Sequence, residues 1–256
     1  MSDTTPHSAP ARTDITERIA EAIFSGHYQP ESLLPREVDL CEQYGVSRST
    51  MRNTLHTFVA KGILKRISGK GTRVQEMSEW HLLDPRVMRW MAAHGSDNQR
   101  FEREMYAFRV AVEPFVTSMA AQLATASDLV AIEAAFDGMI AASQQADLMW
   151  QGRSHNDYDV SFHEAIFAAS HNMIWTQLSH LLRPSITLLV EKSNHSADEL
   201  QDSMERHRKV MEAIRLRQPE AAYTAALGVL ERTGRDLGVE EQPGDLPLLP
   251  PLGAAL

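Results

Sequence analysis

The chain has 256 residues, 43% of them apolar and 23% charged, with 13 Gly and 12 Pro. That is globular composition with material for one large domain or two smaller ones, and it excludes collagen-like, low-complexity and wholly disordered chains. The single cysteine, Cys41, excludes an intrachain disulfide, and the net charge of −9 argues against a nucleic-acid binder that uses its whole surface.

No apolar run approaches the roughly 18 residues of a membrane span. The polar start MSDTTPHSAPARTD has no apolar signal core, so a cytoplasmic protein is expected. Residues 1–12 hold little to bury and are read as a disordered tail. Ile15, Ile19, Ala22 and Ile23 recur at helical spacing, predicting a helix over 13–25 with Thr13 or Asp14 as N-cap and Gly26 after it. The turn-rich stretch HYQPESLLP follows. A second helix runs from about Arg36 to Tyr44, with Val38, Leu40 and Cys41 as its apolar contacts, and Gly45 breaks it. Ser47 caps a third, reaching about Lys61, with Met51, Leu55, Phe58 and Val59 inward. After Gly62, ILKRISGKGTRV alternates on both sides of SGKG, the pattern of a β-hairpin.

Helix, helix, tight turn, helix and hairpin is the order of a winged helix-turn-helix. Charge agrees with it. Residues 1–76 carry ten Lys/Arg against nine Asp/Glu, and the remainder 15 against 25. From Gln43 to Gln75 there are seven basic residues (Arg48, Arg52, Lys61, Lys65, Arg66, Lys70 and Arg73) and no acid. A basic face on an acidic protein is the footprint of a DNA-binding module attached to something else. The third helix would present Ser47, Arg48, Ser49 and Arg52 near its N-terminus, where this motif meets base edges in the major groove. Arg48 and Arg52 are four apart on one face, and a guanidinium can bond guanine O6 and N7 together. The alternative for either Arg is a phosphate, or an acid on the second helix.

Residues 77–97 read as a linker holding a short helix from Pro85 to about Ala93. Helices are predicted near 99–125, 127–145, 147–170, 172–193, 197–217 and 219–237, with no competing strand pattern. The fold class is therefore mainly α, with a winged helix-turn-helix over 13–76 and an all-α antiparallel bundle over 98–238. Residues 239–256 form a Pro-rich tail.

Within the bundle, SHNDYDVSFHEAIF sets Asp159 and His163 one helical turn apart, and His207 in ERHRKVMEAI could join them across the bundle. One carboxylate and imidazoles can hold a divalent metal, zinc or similar. A satisfied surface pair is the plain alternative. His155, one turn before Asp159, is a spare donor. Arg109 lies four residues before Glu113, a spacing that also suits an ordinary surface ion pair.

The segment LPREVDLCEQYGVSRSTMRNTLHTFVAKGILKRISGKGTRV resembles the DNA-binding domain of GntR-family transcription regulators, through its LP-x-E start, VSR-x-T-x-R helix and G-x-GT-x-V hairpin. FRVAVEP, DVSFHEAIFAASHN and ERHRKVMEAI resemble the all-helical effector domain of the family's FCD branch, over about 99–237. The linker LLDPRVMRWM further resembles sugar-acid-responsive members. The resemblance implies a homodimer on palindromic double-stranded operator DNA, with Arg36, Ser47, Arg48, Thr50 and Arg52 at the DNA and Gly69 at the wing tip reaching the minor groove, followed by Lys70. Some members carry Arg where this chain has Val38, so one contact would be missing. It also implies a metal on Asp159, His163 and His207, with Val229 where a fourth ligand, a histidine, is usual, and Arg109 meeting the carboxylate of a small effector. The expected function is a ligand-responsive regulator of a catabolic operon, read as a repressor and not an enzyme. The alternative is a metal-dependent hydrolytic enzyme with an appended DNA-binding domain.

Overall fold

A computed structural model describes residues 14–95, 98–193, 197–236 and 238. The expected tails at 1–12 and 239–256, and Thr13, lie outside the described residues. The chain forms two compact units, divided between Asp97 and Asn98.

In the first unit, α1 (Ile15–Phe24) is capped by Asp14, whose side chain accepts from the Thr16 amide at 3.0 Å, and it buries Ile19, Ala20, Ile23 and Phe24. α2 (Glu37–Tyr44) ends at Gly45, which takes φ +66°. That left-handed conformation suits glycine and turns the chain sharply into the next helix. α3 (Arg48–Ala60) starts at Ser47, whose hydroxyl accepts from the Thr50 amide at 3.2 Å. β1 (Leu64–Ile67) and β2 (Gly71–Val74) pair antiparallel, Leu64 opposite Val74 and Ile67 opposite Gly71.

Three expectations change here. Val38 is 43% exposed, and Leu40 alone of the α2 side chains is buried. An eight-residue helix crossing its neighbours leaves room for one inward row only. The stretch read as a turn-rich connection runs beside β2: Leu33 bridges Arg73, the Leu34 amide donates to the Thr72 carbonyl at 2.8 Å, and the Val74 amide donates to Ser32 at 3.0 Å. It covers what would otherwise be an open sheet edge. Finally, α4 (Pro85–His94), within the segment read as a linker, packs into this unit. Trp90 is buried and stacks on Phe58 at 5.0 Å, with Phe24 at 5.8 Å, and its indole N–H donates to Glu17 at 2.8 Å.

The second unit is a helical bundle of α5 (Gln99–Leu123), α6 (Ala126–Ser143), α7 (His155–Ala169), α8 (Met173–Ser193), α9 (Ala197–Arg215) and α10 (Pro219–Asp236). Its core gathers Ala120, Ile132, Phe136, Met139, Phe162, Ile166, Val210, Ile214 and Ala222. α6 and α7 approach closely at Gly138, where an added methyl would overlap the Tyr158 ring. The helix expected over 147–170 starts later. Residues 149–154 form a small hairpin, β3 (Met149–Trp150) against β4 (Arg153–Ser154), turning through Gln151 and Gly152 at φ +49° and +75°. Two consecutive positive φ values fit a hairpin turn and not a helix. Ser154 and Asp157 then form a capping box: the Ser154 hydroxyl accepts from the Asp157 amide at 3.1 Å, and the Asp157 carboxylate accepts from the Ser154 amide at 3.0 Å.

Candidate functional site

On the first unit, Ser47, Arg48, Ser49, Thr50 and Arg52 are all exposed over the start of α3. The Ser47 hydroxyl also lies 2.9 Å from those of Ser49 and Thr50. Arg36 is exposed at the cap of α2, and Gly69, with φ +70°, and Lys70 are exposed at the hairpin tip. Arg52 meets an acid on α2, its Nη2 lying 3.2 Å from Glu37 Oε1, but remains 64% exposed. Such a pair is weak in water and can be exchanged for a phosphate or a base. Two of the seven basic residues are otherwise engaged: Lys61 is held by Asp84 at 2.5 Å and Arg73 by Glu31 at 2.8 Å. Lys65 and Arg66 are exposed on β1. The usable basic face is therefore Arg48, Arg52, Lys65, Arg66 and Lys70.

The second unit holds a buried polar cluster built by three helices. α5 contributes Arg109 and Glu113, α7 contributes Asp159 and His163, and α9 contributes His207, all of them buried. The capping box at Ser154 fixes where α7 begins, and so the phase that turns Asp159 and His163 inward. Arg109 donates to Glu113 through Nε at 2.5 Å and Nη2 at 3.2 Å. Glu113 Oε2 also lies 3.1 Å from His163 Nδ1. His207 Nδ1 lies 2.8 Å from the Ser203 carbonyl, which can only accept, so that nitrogen carries a proton. Both rings consequently turn Nε2 toward Asp159 Oδ1, at 3.3 Å from His163 and 3.6 Å from His207.

The charges are strongly coupled. Burial pushes the Asp159 carboxyl up, but the His207 and His163 rings beside it hold it well below the usual carboxylate range. Burial likewise opposes ionised Glu113, and Arg109 and His163 bring it down to about 2. Burial disfavours charged His163, yet the charge of Glu113 and the bonds from Asp159 and Glu113 raise it to about 9. Burial lowers His155, an effect the nearby Asp159 charge partly offsets.

Three atoms stand out. Asp159 Oδ1 and His207 Nε2 are buried and meet only the titratable groups of the cluster, without a well-directed hydrogen bond, and Arg109 Nη1 is buried with no partner among the described residues. Asp159, His163 and His207 each offer a donor atom within 4.8 Å of the others. The donor set fits a divalent cation: one carboxylate oxygen, two imidazole nitrogens, each ring bonded through its other nitrogen to a carboxylate or carbonyl. His155 stands apart from the convergent set, with Nε2 3.4 Å from Met204 Sδ, and its buried Nδ1 also lacks a partner. Val229 is packed in the core. Glu113 is the residue of the cluster to which the sequence assigned no role, naming it only as the partner of Arg109 in an alternative surface pair. Its only signal is its place in FRVAVEPFV, an acid amid apolar residues.

A family model for the FCD domain matches residues 104–232, and one for bacterial regulatory proteins of the gntR family matches 11–74. The galactonate operon transcriptional repressor of Escherichia coli K12 is 31% identical over 88% of this chain and 96% of its own length. The chain belongs to the GntR family. This GntR regulator also resembles the Glc operon transcriptional activator of Escherichia coli K12, at 27% identity over 83% of each chain. Its fold is that of Lar, which controls expression of the Listeria monocytogenes agr system: TM-score 0.61, 16% identity, 92% of this chain and 100% of that one. It is therefore a mainly α transcription regulator that binds operator DNA through its N-terminal domain and small-molecule effectors through its FCD domain, and not an enzyme. The hydrolase alternative is overturned. No helix among the described residues is long and apolar enough to cross a membrane.

Proposed function

We propose that this GntR regulator is a cytoplasmic homodimeric repressor of a catabolic operon, released from its operator by a small carboxylate of the sugar-acid class. The observation that carries the reading is Arg109. Its guanidinium is buried beside Glu113 and leaves Nη1 without a partner among the described residues, a donor suited to the carboxylate of a ligand. The repressor direction and the sugar-acid class are supported by the galactonate operon repressor, similar along nearly its whole length. Asp159, His163 and His207 would hold a divalent ion such as zinc, which, when bound, supplies a fixed positive charge for an anionic ligand. Three protein donors, with Val229 where the fourth is expected, leave coordination positions for water or the effector. On DNA, Arg48 and Arg52 would read bases, with Ser47, Ser49, Thr50 and Arg36 setting the helix against the backbone and Gly69, followed by Lys70, bringing the wing tip to the minor groove.

The test is a thermal-shift screen of sugar acids, D-galactonate first, with and without chelator, followed by operator binding. An acid that raises the melting temperature should release the operator fragment from the wild type and not from Arg109→Ala. Equal release from both proteins would remove Arg109 from the effector site. Operator binding indifferent to every sugar acid would refute the ligand class.

A further inference from the structure

The geometry points to Glu113 as a positioning residue shared by two subsites, holding the Arg109 donor ready for an anion and the His163 nitrogen ready for a metal. The inference rests on the metal and effector readings above and adds the link between them. Glu113 engages Arg109 through Nε and Nη2, at 2.5 and 3.2 Å, and that side-on pairing leaves Nη1 as the free donor. Its Oε2 also faces His163 Nδ1 at 3.1 Å. A carboxylate accepts and never donates, so Glu113 holds a proton on Nδ1 and leaves Nε2, the nitrogen that faces Asp159, as the one a metal would take by displacing its proton. One buried side chain thus sets the orientation of both neighbours.

An isosteric amide cannot do this. Glutamine has one accepting oxygen and one donating nitrogen. Arg109 spans both carboxylate oxygens, Nε on Oε1 and Nη2 on Oε2, and Oε2 is also the atom that meets His163, so whichever way the amide is turned one of these donors meets an NH2 group. With nitrogen on the Oε2 side the amide demands a lone pair at His163 Nδ1 and leaves the ring proton on Nε2, where it opposes the metal; with nitrogen on the Oε1 side it meets the Arg109 Nε–H and only a neutral oxygen is left behind His163. In either orientation Glu113→Gln loses the carboxylate charge behind His163, so the metal subsite should weaken. The two subsites are also linked in the wild type. An anion on Arg109 draws guanidinium charge away from Glu113 and makes it a better acceptor for His163, so anion and metal should tighten one another reciprocally.

Two measurements on the full chain test this, with zinc alone as the probe. Imidazole nitrogen NMR of the wild type at saturating zinc should show His163 bound through Nε2, with a downfield, slowly exchanging Nδ1 proton. Zinc bound through Nδ1, or a freely exchanging Nδ1 proton, would overturn the inference without any variant having to fold. Competition against a chromophoric chelator should show Glu113→Gln binding zinc about 10- to 100-fold more weakly than the wild type, the usual effect of removing a carboxylate behind a metal-bound histidine. Glu104→Gln, exposed on the same helix, should match the wild type. Equal zinc affinity in Glu113→Gln and the wild type overturns the role of Glu113 and leaves the metal site standing. A wild type that takes up no zinc overturns the metal reading itself, and the link with it.

Discussion

Zinc affinity should rise about 50-fold between pH 7 and pH 9, with one proton released per ion bound at pH 7, because each unit by which the pH lies below a ligand's pKa costs a factor of about ten and a factor of about two remains at the pKa itself. The proton in question is on His163. Without metal that ring sits between two carboxylates, Nδ1 3.1 Å from Glu113 and Nε2 3.3 Å from Asp159, and its pKa stands at about 9. At pH 7 the ring is therefore charged, and a cation must displace the Nε2 proton before it can bind. The competition amounts to roughly 3 kcal/mol, two decades at about 1.4 kcal/mol each. Stability of the metal-free protein runs the other way. A His pKa raised above its unfolded value of about 6.5 stabilises the fold fully below that pH, and the contribution fades as pH rises through about 9. Glu113, depressed to about 2, stabilises above the unfolded range of about 4.5 and loses its contribution as pH falls toward 2. Calorimetric titration with zinc in two buffers of different ionisation enthalpy counts the protons, and repetition from pH 7 to 9 gives the slope. A flat affinity with no proton release would refute the picture of a charged His163 holding the site closed.

Arg48→Ala should weaken specific operator binding by roughly 1–3 kcal/mol and relax the sequence preference, as loss of a base-reading guanidinium does. Lys65→Ala should instead weaken binding to all sequences alike, with a shallower salt slope, and fluorescence anisotropy at several salt concentrations separates the two. Arg109→Lys keeps the charge but loses the fork, so the effector response should fall in a thermal-shift assay while zinc uptake is retained. Gly138→Ala should cost about 1–3 kcal/mol in thermal or urea unfolding, because the methyl meets the Tyr158 ring between α6 and α7.

Much of this was legible in residue order. Asp14 and Ser47 announce helix starts, Gly45 announces the turn before α3, and all three act so in the structure. Asp159, His163 and His207 could be picked out because Asp and His one turn apart must share a helix face. What escaped depends on tertiary surroundings. Leu148, Met149 and Trp150 read as a helical beginning because apolar residues there satisfy either period, and only Gly152 with the Ser154 and Asp157 cap reveals the hairpin. Leu33 bridges β2 from a stretch that looks like pure turn. Glu113 was hidden because Arg and Glu four apart look the same on an exposed face as in a core, and burial is decided by α7 and α9, some 50 to 95 residues further along the chain. The cluster converges through three helices, so no local pattern records it.

The burial of α4 has a mechanical consequence. Trp90 stacks directly on Phe58, and Phe58 belongs to the same rigid helix as Arg48 and Arg52. Glu17 ties the other side, taking the Trp90 indole N–H at 2.8 Å and the Arg86 guanidinium at 3.2 Å. α4 is thus a handle welded to the recognition helix and not a slack cord leading to it. A twist applied where the chain leaves α4 at Gly95 reaches Arg48 and Arg52 as rotation of a solid body, with no helix that must melt on the way. For the same reason a fragment cut just after β2, the end of the recognisable motif, would strip Trp80 and Trp90 from Phe24 and expose a face that the intact protein keeps dry.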